Sequence, residues 1–156
     1  MDRHWAGGFS VIVPSYNRPR QLLTCVRSLL RLWAPADGYE VILVDDGSAP
    51  PVVLPQEIGA RVKLIRQSNQ GPAAARNAGA RWAEGRYLAF IDDDCEAEPD
   101  WLLAFERTCR DKPAPMLLGG TVRNVLVDNP AAIFNEEALR SHRGNAGRTR
   151  WFLPFQ

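Results

Sequence analysis

Four short, mostly apolar strand-like runs in this chain each empty into a polar loop, and that repeated grammar constrains the fold more than any other feature. Phe9-Ser10-Val11-Ile12-Val13-Pro14 leads into Ser15-Tyr16-Asn17, and Val41-Ile42-Leu43-Val44 into Asp45-Asp46-Gly47-Ser48. Val62 to Ile65 leads into Gln67-Ser68-Asn69-Gln70-Gly71-Pro72, and Tyr87 to Ile91 into Asp92-Asp93-Asp94. Continuous apolar runs bounded by turn residues are the form of strands buried on both faces, as in a parallel sheet.

The segments between the runs read as helices. From Arg18 onward, Leu22, Val26, Leu29, Leu30 and Trp33 recur at helical steps, with Pro35 and Gly38 to end the helix. Pro72 suits a first helical turn, and Ala73 to Ala83 continues it with Ala75, Ala78, Gly79 and Trp82 on one side. Glu98-Pro99-Asp100 opens a further helix with Leu102, Phe105 and Cys109 inward, and Met116-Leu117-Leu118 with Gly119-Gly120 reads as a fifth strand. The expected fold class is α/β, a mostly parallel sheet with helices on both faces. Right-handed crossovers then bring every strand's carboxyl end to one edge, where open sheets bind ligands. Three polar loops, Ser15 to Asn17, Asp45-Asp46 and Asp92 to Asp94, converge there.

Composition narrows the function classes. The 156 residues are 46% hydrophobic and 24% charged, enough for one core and a single domain over 1–156. Nineteen basic against eighteen acidic residues give a net charge of +1, which supplies no general attraction to nucleic acid or an anionic membrane. Cys25, Cys95 and Cys109 lack paired metal or redox spacing, so reduced thiols and a cytoplasmic location are expected. No run is long enough to span a membrane; a longer parent protein carrying an anchor would place this domain at a membrane surface.

At the convergent edge, an aromatic ring such as Tyr16 can stack on a base. A carboxylate such as Asp46 can accept from a ring N–H or a ribose hydroxyl, and Arg76 can meet phosphate or base. Asp92 and Asp94 can both reach the crevice from one tight turn, and their oxygens suit Mg²⁺ or Mn²⁺ with phosphates completing the shell. These parts describe a site for a metal-bound nucleoside diphosphate.

Four ordered stretches carry a resemblance: Val11 to Arg18; Val44-Asp45-Asp46-Gly47-Ser48; Asn69-Gln70-Gly71 with Ala75-Arg76-Asn77-Ala78-Gly79; and Phe90 to Asp94. Together they resemble the signatures of glycosyltransferase family 2, firmly over residues 9 to 95, with a nucleotide-binding core compatible over 9–120. The resemblance implies a Rossmann-like GT-A fold, a nucleoside-diphosphate sugar donor (most often a uridine diphosphate sugar) and transfer with inversion to an acceptor hydroxyl. It implies that Pro14 and Tyr16 border the base, Asp46 contacts uracil, Arg76 lies beside the nucleotide and Asp93 contacts ribose. It further implies that Asp94 binds the metal and that Asp92 supports that loop and assists at the metal.

Plainer readings stand beside these: Asn17 and Ser48 cap helices, Asp45 fixes its turn, and Asn77 serves the backbone. The acids after Asp94 form no recognisable acceptor-side motif, so the catalytic base is expected beyond Gln156. Residues 129–156, with basic Arg140 to Arg150 and apolar Trp151 to Phe155, read as a tail or the start of a missing acceptor-binding half. The acceptor, whether glycan, lipid or small molecule, is unspecified, and the isolated chain is expected to bind nucleotide but turn over poorly. Two other function classes fit the crevice. One is a non-catalytic nucleotide-binding module or regulatory partner; the other is a nucleotidyltransferase, which would call for a glycine- and lysine-rich loop near the first strand.

Overall fold

The structure, a computed structural model, describes residues 8–109 and 118–120. The chain divides into two compact units, 1–115 and 116–156, and the described elements all lie in the first. In order they are β1 (Phe9–Ser15), α1 (Pro19–Leu29), β2 (Tyr39–Asp45), α2 (Gln56–Gly59), β3 (Lys63–Arg66), α3 (Pro72–Trp82), β4 (Tyr87–Phe90) and α4 (Trp101–Cys109). The strands pair in the order β3-β2-β1-β4, and every pairing is parallel. The α/β, parallel-sheet reading of the sequence therefore holds.

Alternation along the central strands builds a core on each face of the sheet, because successive side chains of a strand point to opposite sides. Val11, Val13, Val41 and Leu43 meet Leu22, Val26 and Leu29 of α1 and Leu102 of α4 on one face. Ile12, Ile42 and Val44 meet Ala75 of α3 on the other, with Ala78 and Ala80 packed beside it. The second face is thin because α3 lies very close to the sheet. A Cβ on Gly79 would stand 2.5 Å from Ile12 Cγ2 and 3.2 Å from Val44 Cγ2, so only glycine admits that approach.

Several sequence expectations need correction. The first helix ends at Leu29 and tightens through Arg31 N–H to Ser28 O (3.1 Å) and Leu32 N–H to Leu29 O (3.3 Å). Trp33 therefore lies beyond the helix and is exposed instead of packing inward. Trp82, at the last position of α3, is also exposed, with Lys63 Nζ 5.8 Å from its ring centroid. Between the prolines of 50–55 and β3 lies the single turn α2, which the sequence reading did not anticipate and whose Ile58 is buried with the core on the α1 face. Residues 118–120 of the expected fifth strand carry no regular structure, and its other residues, the segment Thr121 to Val127 that reads as a sixth strand or a bend, and the 129–156 tail lie outside the described residues.

Candidate functional site

The register of the sheet fixes where the polar loops emerge. Ser15 pairs with Asp45 at the last step of β1 and β2, and Phe90 at the end of β4 pairs with Ile12. Ile91 N–H extends that ladder by donating to Ile12 O at 3.2 Å, and Asp46 N–H donates to Ser15 O at 2.9 Å. The loops after β1, β2 and β4 thus leave the same edge, as the sequence reading requires.

Asp45 and Asp46 are adjacent and both buried, yet they serve different neighbours. Asp45 closes its own turn: Oδ1 accepts from Ser48 N–H at 2.9 Å and Oδ2 from Val52 N–H at 3.1 Å, with Arg66 Nη1 3.4 Å away. Burial by itself would push this carboxyl up, but the Ser48 hydroxyl and N–H, the Val52 N–H and Arg66 together outweigh it. Its pKa is held below the ordinary value. The plainer reading of Asp45 as a turn residue is correct.

Asp46 instead reaches the loop before α3. Its Oδ1 accepts from Gln67 Nε2 at 2.7 Å and Gln70 N–H at 2.9 Å, and Oδ2 from Gly71 N–H at 2.8 Å. Gly71 is the residue before α3 and offers no side chain to cap it, so Asp46 supplies negative charge at the positive end of that helix. Gly47, at φ +81°, lets this contact close: a Cβ there would meet Asn69 N at 2.7 Å.

The acidic triplet divides by exposure. Asp93 is only 5% exposed, with Oδ2 accepting from Ser15 Oγ at 2.7 Å and Oδ1 facing Arg18 Nη1 at 3.4 Å. Asp92 and Asp94 are exposed; Asp92 Oδ1 is ion-paired with Arg76 Nη2, and Asp94 Oδ2 lies 3.0 Å from Arg18 Nη1. Beneath them Cys25 Sγ–H donates to Asp92 O at 3.6 Å, and burial, with lesser help from Cys95 and the three carboxylates, pushes this thiol up to about 12. It is a neutral packing group, as the unpaired cysteine spacing suggests, and all three cysteines are free.

Asn17 and Ser48 cap no helix. Asn17 N–H donates to Ser48 Oγ at 2.9 Å, and Ala49 N–H donates to Asn17 Oδ1 at 2.9 Å, which staples the β1 loop to the β2 loop. Asn17 holds this position at φ 55°, a left-handed conformation that asparagine tolerates. The four loops therefore close into a circuit: β1 to β2 through Asn17 and Ser48, β2 to α3 through Asp46, α3 to β4 through Arg76 and Asp92, and β4 to β1 through Asp93 with Ser15 and Arg18. Tyr16 projects from it half-exposed, while Pro14 is buried within β1.

Sequence reasoning missed Ser15, Arg18 and Gln67 as members of this circuit. Their only signal is position, a polar residue in a loop directly after a strand, since the partners of Ser15 and Arg18 lie 75 to 78 residues away. A shallow cavity of about 250 Å³ lined by Arg20, Thr24, Cys95 and Glu96 adjoins Asp94. Among the described residues no three metal-ligating side chains cluster, and no helix is long and apolar enough to cross a membrane.

Comparison with known proteins gives a consistent outcome. An uncharacterized glycosyltransferase of Haemophilus influenzae is 44% identical over 86 residues, 54% of this chain and 29% of its own length. The glycosyltransferase AglE of Haloferax volcanii is 35% identical over 101 residues, 60% of this chain and 32% of its own. The chain thus spans about a third of the length of these relatives. Among solved structures, residues 1–349 of S. aureus TarS in complex with UDP superpose with a TM-score of 0.55 at 26% identity, covering 70% of this chain and 38% of that one. The parallel sheet and its flanking helices are those of a GT-A fold. Residues 10–148 match the family described as Glycosyl transferase family 2, and the chain belongs to that family.

Proposed function

We propose that this chain is the donor-binding part of an inverting glycosyltransferase that takes a uridine diphosphate sugar and a divalent ion, Mg²⁺ or Mn²⁺. The observation that carries the proposal is the polar circuit at the sheet edge, which gathers Asp46 from the loop after β2, Arg76 from α3 and Asp92 to Asp94 from the loop after β4. The TarS comparison supports it, since that protein was solved with UDP and with UDP-GlcNAc.

Asp46 has one acceptor position on Oδ2 not taken by Gln67, Gln70 or Gly71, and a base N–H is assigned to it. Tyr16 borders the base with its exposed ring beside buried Pro14. Asp93 receives a ribose hydroxyl, and Arg76 flanks the nucleotide. The donor set fits a hard cation: Asp94 and Asp92 offer exposed carboxylate oxygens, while Asp93 is committed to Ser15. With two protein carboxylates at most, phosphate oxygens and water complete the shell.

When bound, a divalent ion there offsets the negative charge that grows on the departing diphosphate. The chain's own residues fix the nucleotide at base, ribose and loop, and so present the anomeric carbon to an acceptor hydroxyl. A base on the opposite face must take that hydroxyl's proton, and none of the described acids is assigned to it. The acceptor is a hydroxyl compound of unspecified class.

Calorimetric titration with uridine, guanosine and thymidine diphosphates, each with and without Mn²⁺, tests this reading. Uridine diphosphate should bind best, Mn²⁺ should strengthen it about tenfold or more, and Asp94→Ala should remove that enhancement. Metal-independent binding, or an unchanged metal effect in the variant, would refute the assignment.

A further inference from the structure

One guanidinium nitrogen holds two of the three carboxylates. Arg18 Nη1 lies 3.0 Å from Asp94 Oδ2 and 3.4 Å from Asp93 Oδ1. The base of the side chain is fixed, because Arg18 O accepts from Leu22 N–H at 3.0 Å and Pro19 opens α1 directly behind it. The arm itself is free: the side chains of Arg18 and Asp94 are 53% and 54% exposed. The Arg18–Asp94 pair is thus open to water and exchanges readily, while Asp93, its side chain only 7% exposed, meets Arg18 at the longer 3.4 Å.

The two oxygens Arg18 occupies are those the donor needs. Asp93 Oδ2 already accepts from Ser15, so Oδ1, the atom facing Arg18, is the oxygen assigned to a ribose hydroxyl. Asp94 Oδ2 is likewise the oxygen of the assigned metal ligand that Arg18 holds. A divalent ion coordinates at roughly 2.1 Å with twice the charge and displaces a monovalent group held at hydrogen-bond distance. Once displaced, the arm still hangs between a ribose site and a metal site, the interval that a diphosphate spans. A guanidinium is well matched to phosphate oxygens.

We propose that Arg18 is an exchangeable counter-cation of the donor site: it neutralises Asp93 and Asp94 while the site is empty, yields them to ribose and metal on loading, and then pairs with the donor's diphosphate. The proposal rests on the donor-site reading above. It assigns Arg18 a role different from that of Arg76, whose partner is Asp92.

The exchange predicts effects of opposite sign from one substitution. Removing the competing charge makes the empty site more attractive to metal, whereas the loaded site loses a phosphate partner. With the full chain, Mn²⁺ binding without nucleotide is followed by the electron paramagnetic resonance signal of free Mn²⁺, and UDP binding at saturating Mn²⁺ by calorimetry. Arg18→Gln should bind Mn²⁺ about fivefold more tightly and UDP about tenfold more weakly than wild type, and Arg18→Lys should fall between on both. Unchanged or weaker Mn²⁺ binding in Arg18→Gln, or unchanged UDP binding, overturns the role of Arg18. If Mn²⁺-dependent UDP binding persists in wild type and disappears in Asp94→Ala, the donor-site reading survives that failure. If wild-type UDP binding ignores Mn²⁺, both fall together.

Discussion

Asp46 accepts from Gln67, Gln70 and Gly71, donors 21 to 25 residues further along the chain, and is buried while doing so. Its replacement therefore acts on folding before it acts on ligand. Asp46→Ala strands two backbone N–H groups and an amide, and should lower the unfolding free energy by about 3 kcal/mol in urea titrations. Asp94→Ala, at an exposed ion pair, should change stability by less than about 1 kcal/mol while removing the metal effect. A base-contact role for Asp46 is then measured only after correction for the folded fraction. From sequence, an acid after a strand is legible as a ligand-facing group, because strand ends meet at one edge. That the same carboxylate also anchors α3 was not legible, since nothing local to Asp46 names its donors. Ser15 and Arg18 were missed for the same reason, each finding its partners in the β4 loop.

At the scale of elements, α3 shows how a helix of small residues becomes a positioning device. Its periodicity is plain in the sequence, and Ala75 and Gly79 are buried as that pattern requires. The closeness of the approach is set by Ile12, whose branched Cγ2 sits where a Cβ of residue 79 would go. Gly79→Ala gains about 1 kcal/mol in helix propensity. It also forces a methyl into a fully buried, stiff neighbour at a cost of about 1–3 kcal/mol. The clash should win, with a lower urea midpoint and a weaker UDP affinity as α3 and its Arg76 move away from the sheet. Where sequence periodicity misled, at Trp33 and Trp82, the residues lie past or at a helix end, where the turn that would bring them inward is not completed. The single turn α2 is too short to leave a periodic signal.

For the molecule as a whole, the circuit of loops means that the proposed ligand contacts and the fold contacts share residues. A donor nucleotide bound as proposed, touching Asp46, Arg76 and Asp93, would bridge the β2 loop, α3 and the β4 loop, so its binding would oppose the separation of those elements. UDP with Mn²⁺ at a hundredfold excess over its dissociation constant should add about 2.7 kcal/mol of stability, read as a rise in melting temperature. Mn²⁺ alone should give a much smaller rise. The parallel α/β architecture was legible because the central strands β1 and β2 announce themselves by apolar runs; β3 and β4, at the ends of the strand order, are only partly buried, with Leu64, Leu88 and Phe90 exposed. The circuit was not, because it is made of side chains whose partners depend on which strands become neighbours, here β3-β2-β1-β4.

The pairing of Ser15 with Asp45 and of Ile12 with Phe90 has a further consequence for how such a site can change over generations. A strand can slip past its neighbour without turning its side chains inside out only by two residues, about 6.6 Å. The separation of the loops is therefore available only in coarse steps, far larger than the difference between one sugar nucleotide and another. Adaptation to a new donor must be written in loop length and loop residues, leaving the sheet as a fixed ruler against which those insertions and exchanges are measured.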